Sequence, residues 1–298
     1  MANEETIRSI ALKERDNIKA GFVTQTELRA KYNISAHVAT SIYHVAKLGN
    51  LDGEPVTERE LGKANNNVVP DRLRVKGVGN VLAIGDTHIP FQHPDYLDFC
   101  LYVKNEYNCE TVVHMGDEVD NHAISFHDSD PDGFSAGEEA EAAQQEMNAW
   151  YEAFPEATCI VGNHGALPFR KAFAKGIPKK YLKTYEEIWQ APPGWRWTHS
   201  AIIDGVLYEH GIGSSGKNAA LNRAIDNRMS LVMGHAHSWG GVQYTANVDS
   251  MIFGMNVGCG IDVNAYAMAY GKPFTKKPTL GCGVVRDGGR VGIFVPML

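Results

Sequence analysis

Five apolar stretches of this chain each end in side chains able to hold a cation or move a proton. Residues 81–85 run into Asp86-Thr87-His88, and residues 111–116 into Asp117, with Asp120 three positions on. Residues 158–162 run into Asn163-His164, residues 206–209 into His210, and residues 231–234 into His235-Ala236-His237. In the second of these, Thr111 to Met115 are β-branched or apolar enough for a buried strand, and Gly116 lets the backbone turn tightly beside a ligand. One Gly-Asp after a strand is an ordinary turn, and one histidine at a strand end is an ordinary side chain. Five such ends in one chain predict a shared edge at which the side chains meet. Oxygen and nitrogen donors without cysteine suit borderline or hard divalent ions, with Mn first and Zn, Fe or Ni after it. A carboxylate shared by two ions is the simplest way to hold a pair about 3.5–4 Å apart. Calcium fits poorly because histidine is a poor ligand for it, and structural zinc sites usually close with four ligands, often thiolates.

A scaffold must position these ends, and the chain is long enough to supply one. Its 298 residues predict one large or two unequal domains with a sizeable core. At a net charge of -7 with 21% charged residues, the overall balance calls for neither nucleic acid nor a membrane. Residues 1–75 hold 11 Lys plus Arg against 10 Asp plus Glu, leaving 17 against 25 in the part that carries the candidate ligands. Cysteines at Cys100, Cys109, Cys159, Cys259 and Cys282, with no Cys-x-x-Cys, predict reduced thiols in a cytoplasmic compartment, the host cytoplasm if the protein is viral. No apolar run approaches the ~18 residues of a membrane span, and Met1-Ala2-Asn3-Glu4-Glu5 does not read as a signal peptide.

Ahead of the strand ends, residues 5–20 predict a helix with Ile7, Ile10, Ala11 and Ile18 on one face. Thr24-Gln25-Thr26-Glu27 is a capping box for a second helix ending near Asn33, and Ser35 opens a third, with Val38, Ile42, Val45 and Leu48 at helical spacing up to Gly49. The last two read as a helix-turn-helix whose second helix offers His37, Thr40, Ser41, His44 and Lys47 to a major groove. That helix lacks arginine, so nucleic-acid binding through it ranks behind a docking or oligomerisation role. The expected organisation is a helical domain over 1–50, an α/β domain over 78–298, and between them a linker over 51–77 that can wrap back onto the α/β domain. Helices are predicted near 94–107 and 137–150. Short strands near 242–244, 251–257, 283–286 and 291–295 are expected to form a second sheet packed on the first. The polar stretch 121–135 is placed to cover or sort substrates. Ser214-Ser215-Gly216-Lys217 lacks Walker spacing and reads as a loop leading into a helix.

The ordered set Asp86-x-His88, Gly116-Asp117-x-x-Asp120, Gly162-Asn163-His164, His210 and Gly234-His235-x-His237 resembles the calcineurin-like metallophosphoesterase superfamily over residues 78–298, not over 1–75. The closing segment from Gly258 is similar to compact phosphoesterases of phages and bacteria. The resemblance implies an α/β fold, a two-sheet β-sandwich flanked by helices, here with a small N-terminal α-helical domain. It implies two divalent metal ions: Asp86, His88 and His237 holding one, Asn163, His210 and His235 the other, and Asp117 bridging both. His164 would act as general acid or charge stabiliser at the scissile phosphate, oriented by Asp120. The implied reaction is hydrolysis of a phosphate ester, most naturally a diester or nucleic acid, by a hydroxide shared between the ions. A phosphomonoesterase or nucleotide phosphatase, and a non-catalytic metal-binding interaction protein, are the alternatives. Two departures stand out. Gly165 occupies a position that is usually acidic, which removes a support from the His164 loop. Asn121 occupies the place of an arginine that protein phosphatases use on phosphate, which favours diesters.

Overall fold

Helical spacing and cap chemistry build the N-terminal part of the computed structural model, which describes residues 4–19, 23–48, 72–77, 79–126, 130, 132–265 and 275–298. The chain divides into two units, Met1–Val69 and Pro70–Leu298. In the first, α1 (Glu4–Lys19), α2 (Gln25–Tyr32) and α3 (Ala36–Leu48) bury Ala11, Ile18, Leu28, Ala39, Ile42 and Ala46 together. Thr24 Oγ1 accepts the Glu27 N–H at 3.3 Å and Glu27 Oε2 accepts the Thr24 N–H at 2.7 Å, completing the capping box. Asn33 closes α2 in the left-handed region, and Ser35 Oγ accepts the Val38 N–H at 3.3 Å to start α3. Thr40 Oγ1 donates to the Ala36 carbonyl within α3. The side chains of His37, Ser41, His44 and Lys47, and residues 49–71, lie outside the described residues.

Among the described residues of this unit, Glu14 is a buried acid. The Glu14 carboxylate accepts from Lys31 Nζ at 2.7 Å and from the Tyr32 hydroxyl, and these two partners, Lys31 first, hold its pKa at about 2 instead of 4.5. A depressed folded-state pKa means that ionised Glu14 stabilises the fold above the unfolded value of about 4.5, and that the contribution is lost as pH falls towards 2. The wild-type chain should therefore melt above Glu14→Gln near neutrality, with the gap closing across that window. Thermal melts in a pH series check this, and a gap that persists unchanged at pH 2 contradicts it.

The second unit is a sandwich of two six-stranded mixed sheets. One sheet runs β12-β11-β2-β3-β4-β5: Val291–Pro296, Gly281–Arg286, Asn80–Ile84, Cys109–His114, Ala157–Ile160 and Trp195–Thr198. The other runs β1-β6-β7-β8-β10-β9: Arg72–Val75, Ser200–Ile203, Val206–Glu209, Leu231–Met233, Met251–Val257 and Gly240–Ala246. Within the first sheet β2, β3, β4 and β5 are mutually parallel, and in the second β7, β8 and β10 are parallel. Strand alternation serves both faces. Val81, Ala83, Val113 and Met115 meet Ala201, Tyr208, Val232 and Met255 between the sheets. Leu82, Ile84 and Val112 face outward into a core completed by α4 (Tyr96–Glu106) and α5 (Ala136–Ala153). The outer face of the second sheet is covered by α8 (Ala219–Asn227). Shorter helices α6 (Leu167–Ala174) and α7 (Tyr185–Ile188) fill the connection between β4 and β5.

Two sequence expectations are corrected here. The late strands do not make a sheet of their own: β9 and β10 extend one sheet, while β11 and β12 add antiparallel to the edge of the other through β2. Arg72–Val75, read as linker, is an edge strand parallel to β6 from Arg72↔Ser200 to Val75↔Ile203. Four residues with two arginines give little apolar signal, because an edge strand buries only part of its side chains. All five cysteines are free and buried. No described helix is long and apolar enough to cross a membrane.

Candidate metal centre

The five strand ends come from both layers, not from one sheet. β2, β3 and β4 deliver Asp86, Asp117 and Asn163 from one sheet, while β7 and β8 deliver His210 and His235 from the other. They converge at one rim of the sandwich, beyond the carboxyl ends of these strands. Close packing there depends on absent side chains. A Cβ on Gly162 would lie 2.1 Å from Asp117 Oδ1, and one on Gly234 would lie 2.2 Å from Asp86 Oδ1. Three of the non-glycine residues at the rim, His88, Asp117 and His235, take left-handed backbone conformations at φ 51, 49 and 63. Strain of this kind persists where the surroundings over-determine it, and it aims these side chains inward.

The donors fall into overlapping groups. Asp86, His88, Asp117 and His237 offer ligand atoms that all lie within 4.8 Å of one another, as do those of Asp117, His210 and His235. Asp117 belongs to both. Asn163 joins the second group through Oδ1, 3.0 Å from His210 Nε2. The ring nitrogens are pre-set for coordination: His210 Nδ1–H donates to the Met115 carbonyl at 2.8 Å and His88 Nδ1–H to Asp120 Oδ1 at 2.5 Å, which leaves each Nε2 as the inward donor. His88 Nε2 and His237 Nε2 are 3.2 Å apart, and His237 Nε2 is 2.9 Å from Asp86 Oδ2.

Two oxygens test whether cations fit. Asp86 Oδ1 and Asp117 Oδ2 are buried with no hydrogen bond, although His210 Nε2 stands 3.0 Å from the latter. The other oxygens of the same carboxylates accept backbone N–H groups, from His235 at 2.8 Å and from His164 at 2.7 Å. Burial alone would raise Asp117, yet His210, His164 and His88 hold its carboxyl well below the usual range. Burial likewise opposes a charged His210, but Asp117 and Asp86 raise it to about 10. Two buried carboxylates thus demand positive charge, and a divalent ion meets that demand while releasing the proton from His210. The residues fit such ions. Since the Gly234 contact allows no Cβ, Gly234→Ala must push the Asp86 carboxylate aside, and metal affinity should fall by about 10–100-fold. Metal titration followed by calorimetry checks this.

His164 and Asp120 form a third group with His88. His164 Nδ1–H donates to the Asp120 carbonyl at 2.7 Å and lies 3.0 Å from Asp120 Oδ1. Its side chain is 21% exposed, so Nε2 is the atom left to meet a substrate. Burial disfavours the His164 cation, but Asp120 and Asp117 outweigh it and raise the imidazole to about 9.

Two supports of this loop escaped the sequence reading. Asn121 Nδ2 donates to the His164 carbonyl at 3.0 Å. The buried Glu118 carboxylate takes the room beside Gly165, where a Cβ would lie 3.0 Å from both its oxygens. Burial pushes that carboxyl up to about 7, against the pull of the Trp197 Nε1–H, which donates to Oε1 at 3.0 Å. An acid therefore does stand beside the His164 loop, supplied by the neighbouring strand end. The polar stretch after Asp120 is fastened by Glu139, which accepts the N–H groups of His122 and Ala123 at 2.6 and 2.8 Å. Positions 127–129 and 131 of that stretch lie outside the described residues. The Ser214–Lys217 loop does lead into a helix, α8, and Arg223 of that helix donates to Ser214 Oγ at 2.9 Å.

A layered α/β sandwich with Asp, Asn and His gathered at the rim is the architecture of a metallophosphoesterase. Residues 79–260 match the Calcineurin-like phosphoesterase family, and the chain belongs to it. Members are generally hydrolytic and typically bind two divalent metals. No curated protein sequence matches the chain. Similar solved structures include a single mutant of Vps29 from Entamoeba histolytica, 14% identical with a TM-score of 0.33 over 74% of this chain and 99% of that one. Vacuolar protein sorting 29 from Cryptosporidium parvum is 12% identical with a TM-score of 0.36, over 74% of this chain and 97% of that one. The Pseudomonas putida nuclease MPE is 11% identical with a TM-score of 0.26, over 71% and 85%.

Proposed function

We propose that the chain is a two-metal phosphodiesterase or nuclease working with manganese. The observation that carries this reading is the pair of buried carboxylate oxygens, Asp86 Oδ1 with no hydrogen bond and Asp117 Oδ2 met only by His210 Nε2 at 3.0 Å, amid inward-facing histidine nitrogens. In this reading Asp86, His88 and His237 hold one ion, Asn163, His210 and His235 the other, and Asp117 both. The ions, when bound, supply Lewis acidity that activates the attacking water and neutralises phosphate charge. His164 gives its Nε2 proton to the leaving oxygen, while Asp120 fixes the ring through Nδ1. Asp120 Oδ1 also lies 2.5 Å from His88 Nδ1, so one residue sets the tautomers of both rings, His88 through its carboxylate and His164 through its backbone carbonyl.

A diester suits this rim better than a monoester, because the Asn121 amide is committed to the His164 carbonyl and offers no cation to a dianionic phosphate. The unit Met1–Val69 would then be a targeting or docking module, and the catalytic domain would begin with β1. The test is hydrolysis of bis-p-nitrophenyl phosphate, p-nitrophenyl phosphate and linear DNA by chain stripped with EDTA and reloaded with Mn²⁺. Metal-dependent cleavage of the diester is expected. Inactivity of the loaded chain on all three overturns the proposal, and a preference for the monoester converts it to a phosphatase.

A further inference from the structure

The loop that carries His164 leads directly into a surface of opposite charge to the rest of its unit. Residues 76–298 hold 17 Lys and Arg against 25 Asp and Glu, yet six of those cations, Arg170, Lys171, Lys175, Lys179, Lys180 and Lys183, fall in fourteen residues. Between Leu167 and Tyr185 there is no acid at all. A charge run of this kind is ordinarily a solvated face, but this one also displays aromatic rings. Phe173 is 85% exposed and Tyr181 69%, and every residue from 173 to 181 is exposed. A third ring, Phe126, is 63% exposed on the facing loop, with Lys171 Nζ 4.7 Å and Arg170 Cζ 5.0 Å from its centroid.

We propose that this segment is a landing platform for single-stranded nucleic acid, the part of the substrate that flanks the scissile phosphate; this rests on the phosphodiesterase reading above. Cations interleaved with exposed rings provide the two things a flexible strand needs, neutralisation of its backbone and flat faces for unstacked bases. A duplex would use the lysines and leave the rings idle, since its base faces are already stacked.

The start of the platform is tied to the rim. Leu167 N–H donates to the His164 carbonyl at 2.9 Å, which starts α6 three residues after the proposed acid. Lys171 Nζ donates to the Ser125 carbonyl at 3.0 Å, and Asn121 Nδ2 to the His164 carbonyl, so the two loops on either side of Asp120 are fastened together. Beneath, Phe169 packs on Tyr185 at 4.5 Å between centroids and Tyr185 stacks on Trp197, whose indole N–H reaches Glu118 beside Asp117. At 1.5 Å of rise per helical residue, Phe173 lies about 9 Å along α6 from Leu167, the residue whose N–H meets the His164 carbonyl. A membrane surface fits less well. The apolar side of α6, Leu167 and Ala172, is buried in the fold, and the exposed rings stand singly among cations.

Binding of fluorescein-labelled oligothymidylate to the full chain, followed by anisotropy across a salt series in EDTA so that nothing is cut, tests the platform. Phe173→Ala and Tyr181→Ala should each weaken binding by roughly 5- to 150-fold with the salt slope unchanged. The double variant Lys179→Glu/Lys180→Glu should weaken it further and flatten the slope of log affinity against log salt by about 1.4, whereas Lys179→Arg/Lys180→Arg should bind as the parent does. All of these lie outside the metal rim, so their hydrolysis of bis-p-nitrophenyl phosphate should match the parent. Equal binding by parent and Glu variants, tighter binding of duplex, or capture by phosphatidylserine vesicles in place of the oligonucleotide overturns the platform. Diester hydrolysis without oligonucleotide binding sinks the platform alone. Platform-dependent binding without diester hydrolysis supports it and sinks the activity.

Discussion

Asp117→Asn should reduce hydrolysis of bis-p-nitrophenyl phosphate by about 10³-fold or more and strip the chain of bound metal. Lewis-acid stabilisation of the transferring phosphoryl group is worth several kcal/mol, and each 1.36 kcal/mol is about a factor of ten in rate. Asp117 is the one residue in both donor groups that contain a buried, unsatisfied carboxylate oxygen. The substitution is close to isosteric. The amide carbonyl can still accept the His164 N–H, which Oδ1 now does at 2.7 Å, while the new NH₂ replaces Oδ2, 3.0 Å from His210 Nε2. The fold should survive with a donor aimed where a cation belongs. Elemental analysis of the purified variant beside its turnover reads both effects. Activity within tenfold of wild type, with metal retained, would falsify the assignment of this rim as the reaction centre.

That rim could be located from sequence because its chemistry is local. An apolar run that breaks into a histidine or carboxylate carries both the strand and the ligand in the same few residues, and five repetitions leave little else that they could be. The caps at Thr24 and Ser35 were legible for the same reason, since each satisfies amides only three positions away. What could not be read is partnership at a distance. Glu118 beside Gly165 and Asn121 on the His164 carbonyl join segments more than forty residues apart, and nothing in either stretch announces the other. Sheet membership was illegible too. β5 and β6 are separated by His199 alone, yet the chain leaves one sheet and enters the other there. Strand periodicity says which faces are buried and not which sheet buries them.

His164→Ala separates the proton from the metals. His164 appears only in the donor group with His88 and Asp120, not with the unsatisfied Asp86 and Asp117 oxygens, so the variant should keep its metal while losing rate. General acid catalysis contributes about 10²–10⁴-fold where the leaving oxygen must be protonated. A deoxyribose alkoxide is such a leaving group, whereas p-nitrophenolate departs readily without a proton. DNA cleavage should therefore fall by that factor and bis-p-nitrophenyl phosphate hydrolysis by much less. Equal losses on the two substrates would instead assign His164 to charge stabilisation on the non-bridging oxygens, a demand both esters share. Loss of metal in the variant would remove it from proton transfer and make it a support of Asp117, whose Oδ1 its backbone N–H already holds. The backbone bond survives in alanine, so retained metal together with a substrate-dependent loss of rate is the pattern that only a proton donor produces.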